Sequence, residues 1–209
     1  MVVEQVEKDY RDYLENNYIR WGFGNSILYD MCKRKPFHNQ TDIIVGKIWI
    51  IGRSYAAAIE RRRTVGNTND DFYYNDVAPK MLEIGNELDF RLSKLRNVKS
   101  TILDNAKEIL ETHKLLMDTF YELTGLEKRS LASKYLHFHC PEMFFIYDSR
   151  ARANINKYVK RPDKRILSSV KCDSEYGDFF CRMIELQNYI NRKIGTYQSP
   201  RQIDNFLLR

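Results

Sequence analysis

Four cysteines, at positions 32, 140, 172 and 181, are all that this chain of 209 residues holds, with no CxxC pair and no spacing that suits a zinc site. Neither a disulfide scaffold nor a thiolate metal centre is expected, and a reducing compartment is. Long apolar runs are missing too, so no segment approaches the roughly 20 residues that a membrane-spanning helix needs. The opening MVVEQVEKDYRDYLENNY is a charged amphipathic helix rather than a secretory leader, which makes the cytoplasm the expected location. Nine glycines and five prolines form no linker, and there is no internal repeat. The best loops are 66–71 (GNTNDD) and 160–174.

What is present suits a helical protein with one core, since 43% of the residues are hydrophobic and 13% aromatic. Ile102, Leu103, Ala106, Ile109, Leu110, His113, Leu116, Met117 and Phe120 fall on one helical face, with Ser100 or Thr101 as the cap and Gly125 as the stop. Similar periods predict helices from Val77 to Leu95 and from Tyr176 to Ile194, and a last helix after Ser199-Pro200. The stretch 42–63, DIIVGKIWIIGRSYAAAIERRR, reads as one long buried helix in preference to a strand. The expected fold is all-α and two-lobed, divided at about 1–98 and 99–209. Net charge is +6, and basic residues gather at 33–35, 61–63, 128–129, Arg150/Arg152 and 157–165, a pattern that suits a phosphate footprint.

Residues 123–159 carry the most information: LTGLEKRSLASKYLHFHCPEMFFIYDSRARANINKYV. Gly125 permits a tight turn between two helices, Pro141 ends the second, and Asp148-Ser149 opens a third after an apolar loop. This order resembles the helix-hairpin-helix DNA glycosylase superfamily, whose motif ends in such an Asp. It departs from that pattern in lacking Gly-x-Gly in a hairpin one residue longer. The resemblance covers under a fifth of the chain and implies a glycosylase fold, base flipping, and excision of a modified base from double-stranded DNA by a monomer, without a cofactor or metal.

In that family the second hairpin helix carries a Lys, or a Ser or other residue, about eighteen positions before the Asp. Here that position is Ser130, which implies base removal by water alone, leaving an abasic site. Asp148 is the candidate catalytic carboxylate, because breaking a base–sugar bond builds positive charge on the sugar. Lys134 lies four residues beyond Ser130 on the same helical face and reads first as a surface lysine. Lys134 or Lys128 would serve a rival reading as glycosylase/lyase, in which an amine attacks the sugar. A third reading is a non-catalytic DNA-binding module with Asp148 as a mere helix cap.

The resemblance also points to Gly125, Lys128, Arg129, Arg150 and Arg152 as DNA contacts. His137, His139 and Cys140 do not form a metal set, since alternating positions face different ways on a helix. Phe72, Tyr73 and Tyr74, beside the polar loop, are the candidates for the base pocket or duplex wedge. His113 reads as a core histidine first and pocket lining second. The polar loops could admit a base larger than an oxidised purine; in lacking lyase chemistry the chain resembles phage-defence glycosylases that remove glucosylated hydroxymethylcytosine. The competing substrate is 8-oxoguanine.

Overall fold

Ten α-helices make up most of the computed structural model over its described residues, 2–16, 21–63, 71–98 and 100–209. They are α1 (Gln5–Glu15), α2 (Gly22–Arg34), α3 (Thr41–Ser54), α4 (Ala78–Glu83), α5 (Gly85–Asn97), α6 (Ala106–Thr124), α7 (Arg129–His139), α8 (Ser149–Tyr158), α9 (Ser174–Ile194) and α10 (Pro200–Leu207). A π-helical turn spans Phe72–Val77 and a 3-10 turn Arg165–Ser169. Among the described residues there is no strand, and Val2 and Val159 form an isolated antiparallel bridge. The all-α expectation therefore holds. The loop expected at 66–71 lies outside the described residues except for Asp71.

Helix ends follow the chemistry of the sequence at several points. Gly125 takes φ +67° and returns its N–H to the Tyr121 carbonyl, closing α6. Asp173 caps α9, and Ser199 with Gln202 forms a reciprocal capping box at α10, where Pro200 fills the first turn. The long helix expected from position 102 starts later, at Ala106, because Thr101 and Asp104 close a turn of their own and leave Leu103 exposed.

Two expected helices are broken. α3 stops at Ser54, where Ala56 adopts φ +52° and the N–H groups of Ala57 and Ala56 return to the carbonyls of Gly52 and Arg53. That is a Schellman turn with alanine in the slot that glycine usually takes. The chain then folds back so tightly that a Cβ on Gly52 would lie 3.1 Å from the Ala58 Cα. The helix expected from Val77 to Leu95 divides at Ile84 into α4 and α5, because α5 must start against the backbone of His38. His38 gives its N–H to Asp89 Oδ2 on α5, and its ring bridges Asp89 Oδ1 (2.6 Å) to the Tyr135 hydroxyl (2.7 Å) on α7. A Cβ on Gly85 would come within 2.5 Å of the His38 carbonyl oxygen. Gly85→Ala is therefore expected to cost about 1–3 kcal/mol in urea unfolding, the usual range for forced overpacking; unchanged stability would show that α5 slides freely there.

One apolar cluster runs through the whole chain, from Val6 on α1 to Leu207 on α10. Its axis is α7, buried from Leu131 to His139 and packed against α2, α3 and α6. α1 belongs with the later helices: it lies on α9, and Tyr10 donates to Gln198 at 2.7 Å.

Candidate active site

Asp148 is placed by a buried loop with no regular hydrogen bonding of its own. Met143 to Tyr147 are all buried; the N–H groups of Met143 and Phe144 return to the Cys140 carbonyl, and side chains hold other backbone groups of the loop. His137 Nδ1 donates to the Phe144 carbonyl (2.8 Å), Tyr176 to the Phe145 carbonyl (3.0 Å), and the Tyr147 N–H reaches Ser133 Oγ (2.9 Å). The loop delivers Asp148 to the start of α8, where its Oδ1 accepts the Arg150 N–H at 2.9 Å and φ and ψ are extended, as a helix cap requires. Its side chain keeps 28% of its surface exposed.

Lys134 is not a surface residue. Its side chain is 3% exposed, and its amine donates to Ser130 Oγ at 2.9 Å and to the Tyr55 carbonyl at 3.3 Å, with Asp148 Oδ2 at 3.6 Å. The shared helical face expected for Ser130 and Lys134 is thus observed, while the exposure expected for Lys134 is corrected. The Tyr55 carbonyl is free to accept because the Schellman turn ends α3 at that point. Burial pushes the Lys134 ammonium below the ordinary lysine value, with the nearby carboxylates of Asp148 and Asp204 opposing it.

A further carboxylate belongs to this cluster and was not singled out in the sequence. Asp204 on α10 is wholly buried; its Oδ2 pairs with Arg201 at 2.8 Å and its Oδ1 has no hydrogen-bond partner. Burial raises its carboxyl to about 6, against the pull of Arg201, while Asp148 adds to the rise and Lys134 and Arg150 oppose it. The Tyr55 ring stands between the two cations, 5.5 Å from the Lys134 amine and 5.9 Å from the Arg201 guanidinium. Arg201 also lines a cavity of about 480 Å³, together with Tyr29, Lys33, Arg96, Phe138 and Glu142. The signal for Asp204 was a carboxylate set between Ile203 and Leu207 on the apolar face of a short helix.

The other expected site residues divide. Tyr74 is half exposed, but Phe72 and Tyr73 are core residues, fixed by an Arg63 guanidinium 4.0 Å over the Phe72 ring and by a hydrogen bond from Tyr73 to Glu60. They do not form an exposed aromatic loop. His113 is likewise core: fully buried, stacked on Tyr176 at 3.6 Å, and pushed down to about 3 by burial. It faces the interior.

Among the expected DNA contacts, Gly125 uses its N–H in the turn. Lys128 donates to the Arg61 carbonyl at 2.6 Å, and Arg129 is an internal clamp, binding both oxygens of Asp173 (2.5 and 2.8 Å) as well as Glu127 and Glu175. Arg152 pairs with Glu175, and Arg150 is exposed beside Asp148. In the basic run at 157–165, Lys164 and Arg165 are held by Asp178 and Asp163.

His137 and His139 use both ring nitrogens inside the protein, the first on Phe144 and Tyr29, the second on Tyr135 and Lys47. Lys47 is itself buried, held by the carbonyls of Lys35 and Phe37, and lowered to about 8 by burial. Among the described residues no helix is long and apolar enough to cross a membrane. No protein-family model, curated protein or solved structure matches the chain.

Proposed function

We propose that the protein is a DNA N-glycosylase that excises a modified base, and that Lys134 with Asp148 makes it a glycosylase/lyase rather than a hydrolase working by water alone. The observation that carries this reading is the buried Lys134 amine, 2.9 Å from the Ser130 hydroxyl and 3.6 Å from the Asp148 carboxylate, at a helix start. A lysine removed from water and deprived of a close bidentate partner gives up its proton more readily, which is the condition for attack by nitrogen. The sequence position of Ser130 spoke for water; the amine of Lys134, one helical turn on, reaches the same point.

In this mechanism the neutral Lys134 amine adds to C1′ of an extruded nucleotide. The C–N glycosidic bond breaks, and its electron pair leaves with the base, which takes up a proton. Asp148 supplies negative charge against the oxocarbenium-like sugar as that bond stretches. Ring opening then gives an iminium between Lys134 and C1′, from which loss of a proton at C2′ expels the 3′ phosphate. Ser130 holds the amine in register before attack. Arg201, held by Asp204, lines the cavity that Tyr29 and Phe138 also line, and reads a base edge there.

The test is borohydride reduction during reaction with duplex containing 8-oxoguanine and with glucosylated and unglucosylated phage DNA. A covalent protein–DNA adduct on one of these substrates is expected, lost in Lys134→Ala and kept in Lys128→Ala. Base release without any adduct would restore the monofunctional reading built on Ser130. Binding with neither release nor adduct on any substrate would leave a DNA-binding module in which Asp148 only caps α8.

A further inference from the structure

The cavity that Arg201 lines carries positive charge that its own helices do not balance. Lys33 in the last turn of α2 and Arg96 in the last turn of α5 line it with Arg201, against one carboxylate, Glu142. Glu142 accepts a hydrogen bond from the Tyr197 hydroxyl at 3.1 Å. The carboxylates on the helices of Lys33 and Arg96 are engaged elsewhere: Arg34 holds Asp30 on α2, while Arg91 and His38 hold Glu87 and Asp89 on α5. Arg96 returns its Nε to the Leu92 carbonyl at 3.2 Å, and both cations are exposed.

A further positive charge stands behind one wall. His139 lines the cavity, and its Nε2 lies 3.1 Å from the buried Lys47 amine. That amine is held by the carbonyls of Lys35 and Phe37 and is lowered only to about 8, so it stays charged at neutral pH. A cation removed from water is poorly screened and adds to the field over the cavity. The remaining walls are apolar: Pro141, and the rings of Tyr29 and Phe138 with centroids 4.8 Å apart. Phe138 meets the Tyr55 ring at 5.4 Å, and that ring stands 5.5 Å from the Lys134 amine and 5.9 Å from the Arg201 guanidinium. One aromatic ring thus joins the cavity wall to the amine. Aromatic walls suit a flat heterocycle, and cations without carboxylate partners suit an ionised acid.

We infer that the base selected by this site carries an ionised acidic substituent, which Lys33 and Arg96 bind while Arg201 reads the ring edge and the ring lies against Tyr29 and Phe138. The inference rests on the reading of the protein as a DNA glycosylase and names the class of base within that reading. A neutral modified base fills the same cavity without engaging Lys33 and Arg96, so it is taken more slowly than one with a carboxylate. DNA phosphates offer these cations an anion too, and the test therefore keeps the phosphates constant.

Two duplexes that differ in one base serve as probes: one holds 5-carboxylcytosine, the other 5-carbamoylcytosine, its neutral amide of nearly the same shape. Single-turnover base release at neutral pH is expected to be roughly 10- to 100-fold faster from the acid, the span of charge-assisted hydrogen bonds gained or lost. Lys33→Gln/Arg96→Gln should bring the acid-to-amide ratio to near one, with the melting temperature of the parent, because both side chains are exposed. A ratio near one in the parent would overturn the acidic class and leave the glycosylase reading standing. So would a ratio that the double variant preserves, since it would then belong to the leaving groups themselves. Release from 8-oxoguanine or glucosylated DNA but from neither cytosine derivative would overturn the acidic class alone. No release from any of these substrates would overturn both.

Discussion

Asp148→Asn is expected to slow base release by roughly 100-fold or more, the loss found when one preorganised charge or donor matched to a transition state is removed. The substitution separates the two roles open to this residue. Asparagine caps a helix about as well as aspartate, so the bond from the Arg150 N–H survives and stability should change by only a few tenths of a kcal/mol. A large rate loss in a protein of unchanged melting temperature, with duplex affinity kept within severalfold, would then report the missing charge. If single-turnover rates of the Asn variant match the parent, Asp148 is a cap and the reading of the site falls.

Asp204 is expected to make the protein less stable as pH rises. Burial raises its folded carboxyl to about 6, above the roughly 3.9 of an ordinary aspartate, so between about pH 4 and 6 the folded state keeps a proton that the unfolded chain has lost. Below that window the group costs nothing; above it the cost is complete, about 3 kcal/mol for a shift of about two pH units. Asp204→Asn cannot ionise. It should flatten this part of the stability profile and exceed the parent by about 1–2 kcal/mol at pH 8, a little of the gain being lost because Arg201 forfeits its partner. Urea unfolding at pH 4.5 and pH 8 measures both. A variant weaker than the parent at pH 8 would show that the Arg201 pair outweighs the burial. A carboxylate kept at a stability cost beside Lys134 and Asp148 fits a site arranged for chemistry rather than for packing.

Periodicity and caps made the helices legible: the apolar face of α6, the glycine stop at 125, the cap at Asp148 and the box at Ser199 are local features, set by residues within a turn of one another. What failed depended on distant partners. α3 ends where Gly52 meets Ala58 and Ala56 turns left-handed, and no apolar period announces either. The break at Gly85 is imposed by His38, 47 positions earlier. Phe72 and Tyr73 looked loop-like beside GNTNDD, yet Glu60 and Arg63 draw them into the core. The site shows the same division. Asp148 and the Ser130–Lys134 face could be read from spacing within one segment. The burial of Lys134 could not, since it depends on the Tyr55 carbonyl from α3 and on Asp204 from α10.

The helix that holds the Lys134 amine is also the axis of the core. α7 lends its Tyr135 to the His38–Asp89 bond, its His137 and Ser133 to the loop that ends at Asp148, and its apolar faces to three neighbouring helices. Local opening of this molecule should begin in the peripheral turns, where fewer packed groups hold the chain, and reach α7 only when the whole structure gives way. The amine then keeps its place against Ser130 and Asp148 for as long as the protein is folded. Catalytic lifetime and folded lifetime become a single quantity, and heat should extinguish both in the same transition.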